Sequence, residues 1–287
     1  MKKLVPIFSI VLLVSCQTRR EKENPVSAIY SAEREIFYNY LSNRLATFEE
    51  LAPGLTTFQS TLPNDPNRYS DYQHHDTKAA ANTGVYMADL YYCILAQEND
   101  MSYKYFQSVA ALSKTLGVEE LQIDNLVGRY GKNLNNYDSL KGIATQLLKH
   151  TTLDLENDRE RLAGIAMATY QIENLYLALS ILESYPENPS ELEAGTKLSL
   201  QAKVFSQRAN LEIIYNFLRS ITDPLDPQSN PNYPFYDAEL RGLIGIYQQL
   251  DAENAGQAEI DPLKNQKTIA ELFKNIKDLR TKIVSKE

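Results

Sequence analysis

Residues 100–117, DMSYKYFQSVAALSKTLG, carry the signals of one complete amphipathic helix. Apolar side chains recur at helical spacing, at Tyr105, Val109, Leu112 and Leu116. This spacing places them on a single face. Asp100 precedes the run as the predicted N-cap, and Gly117 follows it as the predicted stop. The stretch therefore predicts a helix over residues 101–116 with one buried face.

The same kind of pattern recurs along the chain. It predicts helices over residues 31–51, 77–97, 101–116, 119–129, 137–149, 158–183, 191–221, 236–250 and 262–284. Asp76 or Thr77 is the predicted cap of helix 77–97, and Asp261 before Pro262 predicts the start of the last helix. Ser190 and Glu193 have the spacing of a capping box.

The links between several predicted helices are short, which favours antiparallel pairing of 77–97 with 101–116, 158–183 with 191–221, and 236–250 with 262–284. No stretch shows the sustained alternation of apolar and polar residues that is typical of strands. The predicted fold class is all-α, with antiparallel helical hairpins stacked as a bundle or a repeat-like array.

A short motif recurs in the first helix of each pair. Gly84-Val85-Tyr86-Met87-Ala88 is similar to Gly164-Ile165-Ala166-Met167-Ala168, 80 positions later, and Gly245-Ile246-Tyr247 follows after a further 81. A fixed period is typical of stacked repeats. Chance is the alternative, because small and aliphatic residues are common in packed helices. We expect Gly84 and Gly164 to lie at close helix crossings.

The N-terminus has the three parts of a secretory signal. Lys2 and Lys3 are basic, residues 4–14 are almost entirely apolar, and a small residue and a cysteine follow at Ser15 and Cys16. The apolar run is too short to span a bilayer, which takes about 20 residues.

Leu13-Val14-Ser15-Cys16 resembles the lipobox of bacterial lipoproteins. The resemblance implies that Cys16 receives a diacylglycerol, that the signal is cleaved before it, and that the new amino group is acylated. Several acyl chains give firm anchoring, since each buried CH₂ contributes about 0.8 kcal/mol. The alternative is an ordinary secreted protein with a chance cysteine.

Residues 17–25 are polar and charged, which predicts a flexible tether. Gln17 in place of aspartate resembles the sorting signal of outer-membrane lipoproteins, and Glu21 and Glu23 resemble the surface-export tether of Bacteroidota lipoproteins. The predicted organisation is a signal peptide over 1–15, a lipidated cysteine and tether over 16–26, and a helical domain over 27–287. We expect the protein in the cell envelope, held by lipid at the outer membrane. The sequence does not predict whether it faces the periplasm or the cell surface.

The composition argues against several classes of partner. The formal net charge of the chain is −8, and removal of Lys2 and Lys3 with the signal makes it more negative. Without a cluster of positive charge, binding to nucleic acid or to an anionic membrane face is disfavoured. The chain has no tryptophan, which argues against a carbohydrate platform. Cys93 is the only cysteine besides Cys16, and its apolar neighbours predict a buried, inert side chain.

Catalytic motifs are not found. His74, His75 and Asp76 resemble part of the metal site of phosphohydrolases, but His150 is the only other histidine, and Leu147 occupies the place that a Glu-x-x-His motif requires. The sequence contains no His-Glu-x-x-His and no Gly-x-Ser-x-Gly. We therefore expect no enzyme, no cofactor and no metal.

Two proline- and aromatic-rich segments, residues 62–76 and 222–236, differ from ordinary connections. Rigid segments with aromatic side chains make good contact surfaces. The candidate partner-binding residues are Tyr69, Tyr72, His74, His75, Tyr233, Phe235 and Tyr236. The alternative is that these aromatic side chains fold back onto the core.

Three functions remain open. The leading hypothesis is a membrane-tethered, non-enzymatic binding or scaffold module for an envelope partner. The alternative is a small-ligand or glycan-binding lipoprotein with a tyrosine-lined pocket between hairpins, which would be similar in general plan to the helical starch-binding lipoproteins. The third is a hydrolase that uses His74, His75 and Asp76. An open face favours the first hypothesis, and a deep pocket favours the second.

Overall fold

The computed structural model describes residues 25–43, 58–153, 159–186, 188–222, 231–256, 260 and 264–285. Within these ranges the chain forms ten α-helices and no strand, so the all-α prediction is confirmed for them. The helices are α1 (Pro25–Asn43), α2 (Asp76–Leu95), α3 (Asn99–Thr115), α4 (Glu120–Gly131), α5 (Tyr137–Leu153), α6 (Glu160–Ser184), α7 (Glu191–Phe205), α8 (Arg208–Ser220), α9 (Tyr233–Glu253) and α10 (Gln266–Val284). A short 3₁₀ helix (Pro66–Asp71) precedes α2.

Helices α2 and α6 form the centre of the bundle. Every residue from 79 to 94 of α2 is buried, and α6 buries residues on all its faces. Helices of this kind belong inside a protein because no face is polar enough to meet water. Among the described helices, these two make the most extensive contact with each other.

Two glycines permit close helix crossings. A Cβ atom on Gly84 would lie 2.0 Å from the carbonyl oxygen of Ala166, and one on Gly164 would lie 2.6 Å from Cδ2 of Leu218. Gly84 therefore allows α2 to approach α6, and Gly164 allows α6 to approach α8, as the sequence predicted. Gly245 has open space around its Cα. The third copy of the motif thus has no equivalent crossing.

The other helices surround this central pair. On one side, α3 packs on α2, and α4 and α5 complete the layer. On the other side, α8 contacts α1, α6 and α9, while α10 contacts α6 and α9. Among the described helices, α7 makes its most extensive contact with α6. The arrangement is a bundle around two central helices rather than an array of separate hairpins.

Two predicted helix ends are confirmed. Gly117 follows α3 with φ +84°, a left-handed conformation that glycine adopts without strain. The capping box at the start of α7 is present, since the backbone N–H of Ser190 donates to Glu193 Oε2 at 2.8 Å and that of Glu193 donates to Ser190 Oγ at 3.4 Å.

The predicted helix over 191–221 is wrong, because the chain forms α7 and α8 there with a break at Ser206 and Gln207. The buried amide of Gln207 accepts from Gln171 Nε2 at 3.0 Å and donates to the carbonyl of Lys203 at 2.8 Å. These hydrogen bonds hold the turn where neither glycine nor proline marks a break in the sequence.

Three predicted helix starts are also wrong. Helix α3 has Glu98 rather than Asp100 at its N-cap, and α2 has His75 rather than Asp76 or Thr77. Neither observed N-cap makes a side-chain hydrogen bond to the helix. Helix α10 begins at Gln266 rather than at residue 262, while residues 261–263 lie outside the described part of the chain.

Of the predicted signal peptide and tether, only the last two tether residues fall within the described part of the chain. Helix α1 begins at Pro25, within the last two residues of the predicted tether over 16–26. Cys16 and the signal sequence lie outside the described residues, as do residues 44–51 at the end of the predicted helix 31–51. None of the described helices is long and apolar enough to cross a membrane.

Candidate functional site: a groove between α7 and α10

Helix α10 is held to the bundle along one face. Its side chains Leu272, Ile276, Leu279 and Ile283 are buried against neighbouring helices. These positions recur every three or four residues, as expected for a helix with one apolar face. Ile269 and Phe273 lie beside this face and are only half-buried. They remain partly uncovered because none of the described helices packs over them.

An ion pair in the interior fixes α10 to the centre. Arg280 Nε lies 3.1 Å from Oε2 of Glu173, whose side chain is fully buried on α6. The guanidinium carbon of Arg280 also lies 4.6 Å from the ring centroid of Tyr176. A charged pair in such surroundings contributes little net stability, but loss of one partner is costly. It therefore fixes the position of α10.

A second carboxyl group, Asp89 of α2, belongs to the same cluster. Its Oδ2 accepts from the backbone N–H of Asn64 at 3.0 Å, while its buried Oδ1 has no hydrogen-bond donor among the described residues. Burial, and then the negative charge of Glu173, raise the pKa of Asp89 well above its usual range. Arg280 forms its ion pair with Glu173 rather than with Asp89. We therefore place a proton on Asp89, whose carboxyl group can then donate a hydrogen bond to Glu173.

The first half of α7 stands away from the bundle. None of residues 191–199 is buried, and α7 packs through Leu200, Val204 and Phe205 near its C-terminal end. Leu192 and Leu198 are 81% and 59% exposed. Since the capping box stabilises the start of α7 locally, the helix can extend without support from a neighbour.

The space between α7, α10 and the end of α6 is a groove of about 650 Å³ that is open to solvent. We call it the α7–α10 groove. It is lined by Leu182, Glu183, Lys197, Gln201, Gln266, Ile269, Ala270, Phe273, Lys274, Lys277 and Asp278. Its apolar floor consists of Leu182, Ile269 and Phe273. An apolar surface bordered by polar side chains is typical of an interaction site.

Cations lie on both walls of the groove. Lys197 projects from α7 and Lys274 from α10, and neither has a carboxylate partner among the described residues. Lys277 is paired with Glu183, while Asp278 at one end has no ion pair among the described residues. The groove therefore presents two ammonium groups without an ion pair in the described structure, and that of Lys197 lies 6.0 Å from the ring centroid of Tyr185.

The predicted contact segment 62–76 is held against the bundle. Buried hydroxyl groups donate to three consecutive backbone carbonyls, from Tyr105 to Asn64 (2.7 Å), from Tyr86 to Asp65 (2.9 Å) and from Ser108 to Pro66 (2.9 Å). Tyr72 is fully buried and its hydroxyl donates to the carbonyl of Val284 at 3.1 Å. Tyr72 is thus a core residue rather than the partner-binding residue that the sequence predicted.

Three other candidates in this segment remain accessible. Tyr69 is half-buried, and His74 and His75 are exposed just before α2. None of them lines the α7–α10 groove. Within the described residues, no group of three or more histidine, cysteine or acidic side chains is placed to hold a metal ion. A partner-binding role for these three residues stays a prediction.

The second predicted segment, 222–236, is partly helical. Helix α9 begins at Tyr233 and carries a proline in its first turn, where a missing N–H costs no hydrogen bond. The helix thus begins three residues before the predicted start at residue 236. Tyr236 is buried, Tyr233 donates to Asp237 Oδ1 at 2.9 Å, and Phe235 is 38% exposed. Residues 223–230 lie outside the described part.

Cys93 is fully buried in α2. Burial raises the pKa of its thiol, which keeps it protonated and unreactive in the folded protein. The sequence-based interpretation of Cys93 as a small buried hydrophobe agrees with this position.

The sequence did not reveal the groove, because its lining comes from three helices far apart in the chain. One signal was present. Helix α10 carries five lysine or arginine residues against two acidic residues, in a chain whose net charge is −8. Such a local excess of positive charge marks an unusual surface.

No protein family, curated protein or solved structure matches this chain.

Proposed function

We propose that this protein is a lipid-anchored, helical module of the cell envelope that binds a partner protein without catalysing a reaction. Leu13-Val14-Ser15-Cys16 supports the anchor, because the sequence resembles a lipobox. The open α7–α10 groove is the observation that carries the binding role. A binding module needs an accessible apolar surface with a polar border, and the groove supplies both.

The shape of the groove favours a partner protein over the small-ligand alternative. Pockets for small ligands enclose most of the ligand surface, whereas this groove is open along its length. The alternative also required a pocket lined by tyrosines. No tyrosine is among the described residues that line the groove, and Tyr86, Tyr92, Tyr105, Tyr130, Tyr170 and Tyr247 are fully buried.

The anchor is tested by replacing Cys16 with serine. We expect wild-type protein to incorporate radioactive palmitate and to sediment with membranes, whereas Cys16→Ser does neither. Wild-type protein that is labelled no better than the variant would contradict the lipid anchor, whatever the role of the groove.

The binding role is tested by cross-linking in the native envelope. Ala270 is exposed in the groove, so Ala270→Glu places a long charged side chain there without removing a packed group. Ala238→Glu on α9 is the matched control, since Ala238 is exposed and does not line the groove. We expect a cross-linked partner with wild type and the control but not with Ala270→Glu. Cross-linking that is unchanged by Ala270→Glu would contradict binding through this groove.

A further inference from the structure

We propose that the α7–α10 groove accepts an amphipathic helix of the partner protein, with apolar residues on one face and carboxylates along its flanks. This inference depends on the proposed binding function, and it specifies the chemistry of the partner. The length of the groove, its floor and its charges each support it.

The length of the groove suits a helical segment. Its lining residues on α10 extend from Gln266 to Asp278, which at a rise of 1.5 Å per residue corresponds to about 18 Å. A partner helix of roughly three turns covers that distance. Leu198 of α7 is 59% exposed, but it is not among the residues that line the groove.

The floor has helical spacing of its own. Ile269 and Phe273 are four residues apart on α10, and both are half-buried. Leu182, at the end of α6, adds a third apolar group. Side chains one turn apart on a facing helix would interdigitate with these groups, as in other grooves that bind amphipathic helices.

The charges of the groove favour a partner helix with carboxylates on its flanks. Lys197 and Lys274 lie on opposite walls, so carboxylates on both sides of a bound helix would each meet a cation. Neither lysine has an ion pair among the described residues. Asp278, one turn from Lys274, opposes this attraction, and Glu183 is paired with Lys277. A partner with lysines on its flanks would instead place like charges together, and complementary charge gives specificity.

The test uses two synthetic, fluorescein-labelled peptides with the same leucine face. Each is about 18 residues long, enough to form a helix on the groove. One carries glutamates on its flanks and the other carries lysines. Fluorescence anisotropy measures their binding to the intact protein as isolated from cells, held in nanodiscs of zwitterionic lipid, with empty nanodiscs as the blank.

We expect the glutamate peptide to bind roughly ten-fold more tightly than the lysine peptide, with an affinity that falls as salt rises. Ala270→Glu should weaken binding by about ten-fold or more, because it adds bulk and a repelling charge. The double variant Lys197→Glu, Lys274→Glu should reverse the preference between the peptides. The double variant Lys104→Glu, Lys132→Glu is the matched control, since both lysines are exposed, lie outside the groove and have no ion pair in the described structure.

Several results would overturn the inference. One is equal affinity for the two peptides, and another is binding that neither groove variant changes. A third is a dimer in sedimentation that Ala270→Glu dissociates, which would make a second copy of this chain the occupant. A fourth is displacement of the peptide by a fatty acid at submicellar concentration, which would favour an acyl chain. Failure of both peptides while the native cross-link stays sensitive to Ala270→Glu would overturn the partner chemistry and leave the binding function in place.

Discussion

The centre of the bundle and its α7–α10 edge differ in what their helices present to each other. At the centre, α2 and α6 meet through Gly84, with backbone against backbone. At the edge, α7 turns Lys197 and Gln201 toward Ile269 and Phe273 of α10. Apolar surfaces close together because water is released, whereas a lysine keeps its charged group in water. The groove stays open because one of its walls is polar.

The interior charge cluster connects the two regions. Arg280 lies on the face of α10 that packs against the centre, and the groove lies on an adjacent face of the same helix. Disruption of the centre should therefore cost stability, whereas changes in the groove should affect binding alone.

Among the variants, Arg280→Met should cause the largest loss of stability. It leaves Glu173 buried without its counter-charge, and loss of one partner of a buried pair costs about 3–5 kcal/mol. Urea unfolding measures the loss. Lys282→Met is the control, because it breaks an exposed pair with Glu239 and should cost less than about 1 kcal/mol. Equal losses for the two variants would mean that the interior pair has no special role.

Gly84→Ala should cause the second largest loss of stability. The added methyl group would overlap the carbonyl of Ala166 and force α2 and α6 apart, and such overpacking costs about 1–3 kcal/mol. Gly245→Ala is the matched control, since its new methyl group meets open space and alanine favours a helix by up to about 1 kcal/mol. We expect the melting temperature to fall for the first variant and to rise or hold for the second. A rise for Gly84→Ala would refute the close crossing.

The smallest of the three stability effects concerns pH and Asp89. Because its pKa is raised in the folded state, the stability linked to its proton is fully present below about pH 4 and is lost as pH rises through the raised pKa. Asp89→Asn keeps an acceptor for Asn64 and a donor toward Glu173 without needing a proton. Its melting temperature relative to wild type should therefore increase with pH. Parallel pH profiles would show that Asp89 is ionised in the folded protein.

Much of the fold followed from local patterns. Apolar spacing predicted most of the helices, and Gly117 and the capping box at Ser190 marked real ends. The break at Gln207 was not predictable in this way, because it depends on Gln171, a residue on another helix. Local sequence carries no trace of such a contact.

The site was harder to predict than the fold. Tyr72 and Tyr236 resembled contact residues in sequence, yet both are buried in the core. A tyrosine can serve either purpose, since its ring packs while its hydroxyl needs one partner. The groove residues Leu182, Lys197 and Phe273 come together only in the tertiary structure.

Hydrogen–deuterium exchange of the intact protein, with and without the glutamate-flanked peptide, shows whether a partner helix binds in the α7–α10 groove. The open edge predicts fast exchange in the first half of α7 and slow exchange in α2 and α6, because local stability follows packing. Added peptide should slow exchange in Glu191–Phe205 and Gln266–Val284 and leave the segment 62–76 unchanged. If the peptide slows exchange in 62–76 or in the first turn of α9 but not in α7 and α10, it does not bind in the α7–α10 groove.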